Sequence, residues 1–129
     1  MGVLIDTGVF IEQERGGQSL ERVVSDEPWG ISVITVSELL HGIHRAVGAV
    51  RNRRRAWVEE LLAGTEAVPI TTPVARVHAE LWASLVERGD VIGQHDLWIG
   101  ATALTHGLGV VTRNEQDFAR IPGLSVIAL

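Results

Sequence analysis

Apolar positions in this chain follow two rhythms. Short unbroken runs occur at Val3-Leu4-Ile5, Gly30 to Val33, Ala67 to Ile70, Gly109 to Thr112 and Ser125 to Ala128. Between them lie stretches in which apolar residues recur every three or four positions. The short runs predict strands buried on both faces, and the longer spacing predicts helices with one face on a core. Helices are expected from Thr7 to about Glu14, from Ser19 to about Ser25, from Val36 to Val47, from Arg51 through Leu62, from Thr72 to Arg88 and from His95 to His106. Their punctuation agrees. Thr7, Ser19 and Thr72 are suitable N-caps, Pro73 suits a first helical position, Arg88-Gly89 is a stop, and Gly64 and Gly107 close their helices. Val36, Leu39, Leu40, Ile43 and Val47 form one core stripe. Val74, Val77, His78, Leu81, Trp82 and Leu85 form another, in which His78 and Trp82 read as packing residues. Strands alternating with helices predict an α/β fold with a parallel sheet between helical layers. A chain of 129 residues without repeat or linker suits a single domain over residues 1–129.

Against this apolar pattern a few polar residues are conspicuous by position. Asp6 ends the first apolar run, and ligands of open α/β sheets bind beyond the carboxyl ends of strands. Its plain alternative is a helix cap. Asp96 lies in the first turn of a mainly apolar helix, where the helix N-terminus favours a carboxylate by only ~0.3–1 kcal/mol. Gly100 and Ala103 follow on its side, so it is expected to face a tight concave space. Glu38 lies off its helix's core stripe, with Gly42 one turn on. There a small residue keeps room beside the carboxylate, and the plain alternative is a solvated surface acid. Thr112, Asn114 and Asp117 cluster after the fourth strand. Several carboxylates within ~4–6 Å raise one another's pKa, and a fold tolerates this when a divalent cation fills the gap.

Composition narrows the chemistry. There is no cysteine, which excludes disulfides and thiolate metal sites and is compatible with a reducing cytoplasm. Oxygen-only ligands favour Mg²⁺ or Mn²⁺ over Zn²⁺. His41 and His44 have a spacing that permits metal binding but lack the zincin glutamate and a third nitrogen ligand. No apolar run reaches the ~18 residues of a membrane span, and the N-terminus has no secretory signal pattern. The formal net charge of −5 argues against a general nucleic-acid coating protein. It leaves room for a nuclease, whose metal ion supplies local positive charge. The most basic run, Arg51-Asn52-Arg53-Arg54-Arg55, reads either as a solvated helix face or as a phosphate-contacting patch, to which Arg113 is added. Carboxylates around one or two such ions suit phosphodiester hydrolysis, with the ion activating water and neutralising charge as it develops.

The pieces Leu4-Ile5-Asp6-Thr7, Ser37-Glu38-Leu39 with Gly42, Ile92-Gly93-Gln94-His95-Asp96, Thr112-Arg113-Asn114, Asp117-Phe118 and Ile121-Pro122-Gly123-Leu124 stand in this order over nearly the whole chain. Together they resemble the PIN-domain ribonucleases, and within them the VapC toxins of bacterial toxin–antitoxin pairs. The resemblance implies a three-layer α/β/α sandwich with a central, mainly parallel sheet. It implies Asp6, Glu38 and Asp96 as the core acidic ligands. The fourth acidic position falls at Asn114, where many members carry Asp, or at Asp117, where some carry Asp or Glu; both are carried over, Asp117 as the acid and Asn114 as a polar supporter, with Thr112 as a hydroxyl near the metal. Gly8 departs from the Ser or Asn usual after Asp-Thr. The resemblance further implies Mg²⁺-dependent endonucleolytic cleavage of RNA, a homodimer, and a VapB-type antitoxin whose C-terminal segment covers the site. Val9, Phe10, Trp57 and Leu61 are the apolar candidates for such contacts.

Two other classes compete. A phosphatase with Asp6 as nucleophile would want a second Asp where Gly8 stands. A receiver domain would need a late lysine, and the chain has no lysine at all. A catalytically idle PIN-like module that binds RNA or protein without cutting is the remaining rival; acids that fail to converge would favour it, and four intact acids argue against it.

Overall fold

The computed structural model describes residues 2–17, 20, 24 and 27–129. Its elements are β1 (Val3–Ile5), α1 (Thr7–Glu14), β2 (Trp29–Ser32), α2 (Val33–Arg45), α3 (Gly48–Ala63), β3 (Ala67–Val68), α4 (Thr72–Arg88), α5 (Gln94–Thr105), β4 (Gly109–Thr112), α6 (Glu115–Phe118) and β5 (Val126–Ala128). The helix expected from Ser19 to Ser25 falls largely outside the described residues, of which Leu20 and Val24 are buried.

The five strands form one sheet in the order β3-β2-β1-β4-β5, and every pairing is parallel. Alternation along the strands divides the core. Leu4 and Val110 face one side with Val74, Leu81, Leu85, Leu97 and Ile99 of α4 and α5. Val3, Ile5, Ile31 and Val111 face the other with Phe10, Leu39, Ile43 and Val58 of α1, α2 and α3. A strand with both faces covered has no polar face, which is why these runs are continuous in the sequence. The result is the expected three-layer sandwich, with a sheet that is wholly parallel.

β1 leads to β2 on one side, while β4 leads to β5 on the other. The chain therefore changes direction between β1 and β4. Their carboxyl ends lie side by side, with Ile5 paired to Val111. At such a switch point no crossover covers the strand ends, and a crevice opens there.

Several boundaries differ from expectation for local reasons. α2 begins at Val33, because the Ser32 hydroxyl accepts from Ile34 N at 3.0 Å and caps the helix. Glu38 thus lies in the second turn, not at the helix start. The α1 cap is Asp6, not Thr7. α4 is capped by Thr71 instead of Thr72, with Pro73 in its first turn. α6 gives no periodic signal because it is a single turn. Val9 and Phe10 are buried, and Trp57 and Leu61 pack on the core, so these four do not form an exposed contact surface. The largest exposed apolar residues are instead Val47, Trp82, Val86 and Val91. No described helix is long and apolar enough to cross a membrane.

Candidate metal-binding carboxylate site

Four segments meet at the crevice. Asp6 leaves the end of β1 with extended backbone, φ −72° and ψ 151°, and caps α1 through Oδ1, which accepts from Thr7 N at 2.8 Å. Its other oxygen accepts from Thr112 Oγ1 at 2.8 Å across the neighbouring strand end. A helix cap and a site carboxylate are therefore the same group here. Asp6 is buried and pairs with no arginine or histidine among the described residues. Burial raises its pKa above the ordinary value. The hydrogen bonds from Thr112 and Thr7 oppose that rise, and the Glu38 charge adds to it.

Thr112 acts in both directions. Its hydroxyl donates to Asp6 and accepts from Asn114 N at 2.8 Å. The Asn114 side-chain amide then donates to Asp96 Oδ2 and to Asp117 Oδ2, each at 3.1 Å. One amide has two N–H groups, so it can satisfy both acids at once. Asn114 thus bridges two acids as a donor, and the Asp117 carboxylate also lies 3.7 Å from Arg120 Nη1.

Asp96 sits in the first turn of α5. Its carboxyl is pushed up to about 6, first by burial, then by the Asp6 charge, with smaller contributions from Glu38 and Asp117. The bond from Asn114 pulls the other way. The acids thus feel one another. The room expected beside Asp96 at Gly100 is filled, however: a Cβ there would collide with Ile121 Cδ1. Gly100 lets the segment after α6 pack tightly on α5, and the concavity at Asp96 comes from the crevice.

Glu38 reaches the group from α2. Its Oε1 lies 2.7 Å from Thr7 Oγ1, which is also 3.1 Å from Thr35 Oγ1. A hydroxyl has one hydrogen, so Thr7 donates to Glu38 and accepts from Thr35. The second carboxylate oxygen lies 3.4 Å from His95 Nδ1 at the start of α5. Thr7, Thr35 and His95 are site neighbours that sequence reasoning missed. Thr35 stands one turn before Glu38 on α2, the one spacing signal that points to it.

The basic run behaves differently from the patch reading. Arg51 donates to the carbonyls of Ala46, at 2.6 Å, and His44, at 3.1 Å, closing the end of α2. Arg54 pairs with Glu14 at 3.2 Å and donates to Gly42 O at 3.1 Å. Arg53 and Arg55 are exposed. Arg113 is 3.9 Å from Glu12 on α1. The guanidiniums expected on phosphate are thus divided between structural pairs and open surface.

A family model for the PIN domain matches residues 3–124. The chain belongs to the PIN-domain family. Within it the chain falls among the VapC ribonucleases. Ribonuclease VapC1 of Rickettsia felis is 34% identical, covering 100% of this chain and 97% of its own. Ribonuclease VapC5 of Mycobacterium tuberculosis is 32% identical, covering 98% and 92%. Among solved structures, VapBC-5 of Mycobacterium tuberculosis, a member of the VapBC family of toxin–antitoxin systems, superposes with a TM-score of 0.83 at 30% identity over 99% of this chain and 98% of that one. A DNA-bound VapBC from Salmonella typhimurium gives 0.86 at 27% identity over 98% and 96%. PIN-domain nucleases in general depend on a divalent metal.

The donor set fits such an ion in kind. It is all oxygen, from acids whose mutual repulsion is relieved only in part by hydrogen bonds. As placed, no three His, Asp or Glu side chains among the described residues stand close enough to hold an ion together. Glu38 is turned to Thr7 and His95, and Asp96 to Asn114, so closing on a cation requires side-chain rotation at the PIN site.

Proposed function

We propose that this PIN domain, comprising the whole chain, is a Mg²⁺-dependent endoribonuclease, with Mn²⁺ as a substitute ion. In this reading it is the toxin of a VapBC-type pair in the cytoplasm, working as a homodimer and held by a VapB-type antitoxin. One observation carries the catalytic part: Asp6, Thr112, Asn114 and Asp96 form a hydrogen-bonded chain at the switch point, and burial, with the acids around it, pushes Asp96 up to about 6.

Asp6, Glu38, Asp96 and Asp117 would hold the cation. A cation bound there supplies positive charge for the phosphodiester oxygens and acidifies water. The chain's own part is placement. Thr112 fixes the Asp6 rotamer, Thr7 and Thr35 fix Glu38, and the Asn114 amide keeps Asp96 and Asp117 on one side. These contacts hold the acids at the crevice before a cation arrives, and Glu38 and Asp96 would turn from Thr7 and Asn114 onto it; groups already in place as charge develops on the phosphate are where such a site gains most. None of these side chains forms a covalent intermediate in this scheme.

The test is cleavage of single-stranded RNA by the purified chain with Mg²⁺, beside Asp6→Asn and Asp96→Asn. Each substitution should lower the rate by about a hundredfold or more while the chain still folds and melts cooperatively. A variant that cuts at the wild-type rate removes its residue from the scheme. A wild-type chain that binds RNA with Mg²⁺ but never cuts is the idle module instead.

A further inference from the structure

Beside the carboxylates lies a cleft of about 350 Å³ between α1, α2 and α3. Glu38 forms its inner wall, so it opens directly off the acidic site. Ile11, Leu39 and Val58 give it an apolar side, and the paired Glu14 and Arg54 give it a polar one. Two more cations, Arg15 and Arg45, stand at its edge. Both are exposed, and neither forms an ion pair among the described residues. Gly42 keeps the cleft open: a Cβ there would meet only Arg54 Cδ, at 3.9 Å.

We propose that this cleft is the subsite for the nucleotide next to the scissile phosphate of single-stranded RNA. The base lies against the exposed side chain of Ile11, above the nearly buried Leu39 and Val58, and its phosphate meets Arg15 and Arg45. The assignment rests on the nuclease reading above. Three features favour RNA over a protein segment. The cleft is continuous with the reactive acids, as a flanking nucleotide must be. The charges there without an ion pair among the described residues are guanidiniums, in a chain of net charge −5, and guanidinium forks match phosphate oxygens. Its apolar side is small, with Leu39 and Val58 almost wholly buried, which suits one planar base better than a helix face. The basic function expected at Arg51 to Arg55 thus moves to Arg15 and Arg45, two residues far apart in sequence.

Two variants test it with the full chain: the double substitution Arg15→Ala/Arg45→Ala, and Gly42→Met, which fills the cleft. Substrates are short single-stranded RNA of randomised sequence and bis(p-nitrophenyl) phosphate, a diester with no flanking nucleotide. Both variants should raise KM for RNA by about tenfold with kcat nearly unchanged. Their rates on the small diester should match wild type. In the Asp96→Asn protein, the methyl resonances of Ile11, Leu39 and Val58 should shift when the same RNA is added. Wild-type kinetics on RNA for both variants, with silent methyls in an RNA-bound protein, would overturn the subsite and leave the nuclease standing. If those variants instead lose only antitoxin binding, the cleft holds a protein segment and the proposal is wrong. If wild type hydrolyses neither substrate, the nuclease reading fails, and the subsite with it.

Discussion

Asp96 is the residue through which this site touches stability. Its folded carboxyl holds a proton up to about pH 6, while an unfolded chain releases it near the ordinary carboxylate value. Between those values the folded state binds more protons. Its contribution is therefore complete at low pH and is lost as pH rises through about 6. After discounting for a partly exposed group, the loss amounts to roughly 1–2 kcal/mol. His78 works the opposite way. It is buried, stacked on Trp98 at 3.6 Å and bonded to Gln94, and burial lowers its pKa. Its stability is lost as pH falls below its unfolded value. Comparing wild type with Asp96→Asn isolates the Asp96 part: without cation, the variant should melt higher above pH 6 and equally at low pH. Parallel melting curves across that range would refute the repulsion. Thr112→Val makes a second residue-scale prediction. It strips a donor from buried Asp6 and an acceptor from Asn114 N, and should cost about 1–3 kcal/mol in melting experiments. Asp6 is legible in the sequence because it ends a short apolar run. Thr7 and Thr35 are not, since a hydroxyl's partner depends on what the fold brings near it.

Among the elements, strands and long helices follow directly from the chain's rhythm, because each buries a face with its own period. Ends are set by caps, and Ser32 and Thr71 each shift one helix boundary. The arginine run shows a different limit. Successive residues on a helix turn by roughly 100°, so Arg53 stands away from Arg51, Arg54 and Arg55, and of these three Arg51 and Arg54 are held by contacts within the fold. Gly100 shows a third: a small residue in a sequence marks close approach without saying what approaches. Gly100→Val on α5 should displace Ile121 and Leu124, which pack there, and cost about 1–3 kcal/mol by overpacking. Chemical denaturation measures the loss. An unchanged midpoint would mean the α6 segment is free to move away from α5.

For the molecule as a whole, the parallel sheet places one charged crevice at the junction of two halves that wind in opposite directions. Binding energy spent there acts on every layer. Mg²⁺ or Mn²⁺ should raise the melting temperature at pH 7.5 and do much less near pH 4.5, where protons compete for the same carboxylates. The double variant Asp6→Asn/Asp96→Asn should show no such rise. An equal rise in that variant would place the cation elsewhere. The fold class is readable before any coordinates, and so is the nomination of Asp6, Glu38 and Asp96 as candidate acids. The direction each acid faces is not, because Glu38 and Asp96 take their orientation from Thr7, His95 and Asn114, residues distant in sequence.

The link from Asp6 to Thr112 ties the first strand to the fourth, 106 residues further along the chain. On the proposed roles, a chain growing on the ribosome lacks Asp96, Thr112 and Asp117 long after Asp6 and Glu38 have been made. A fragment released before residue 96 is added would carry only two of the four acids, and it should not cut RNA.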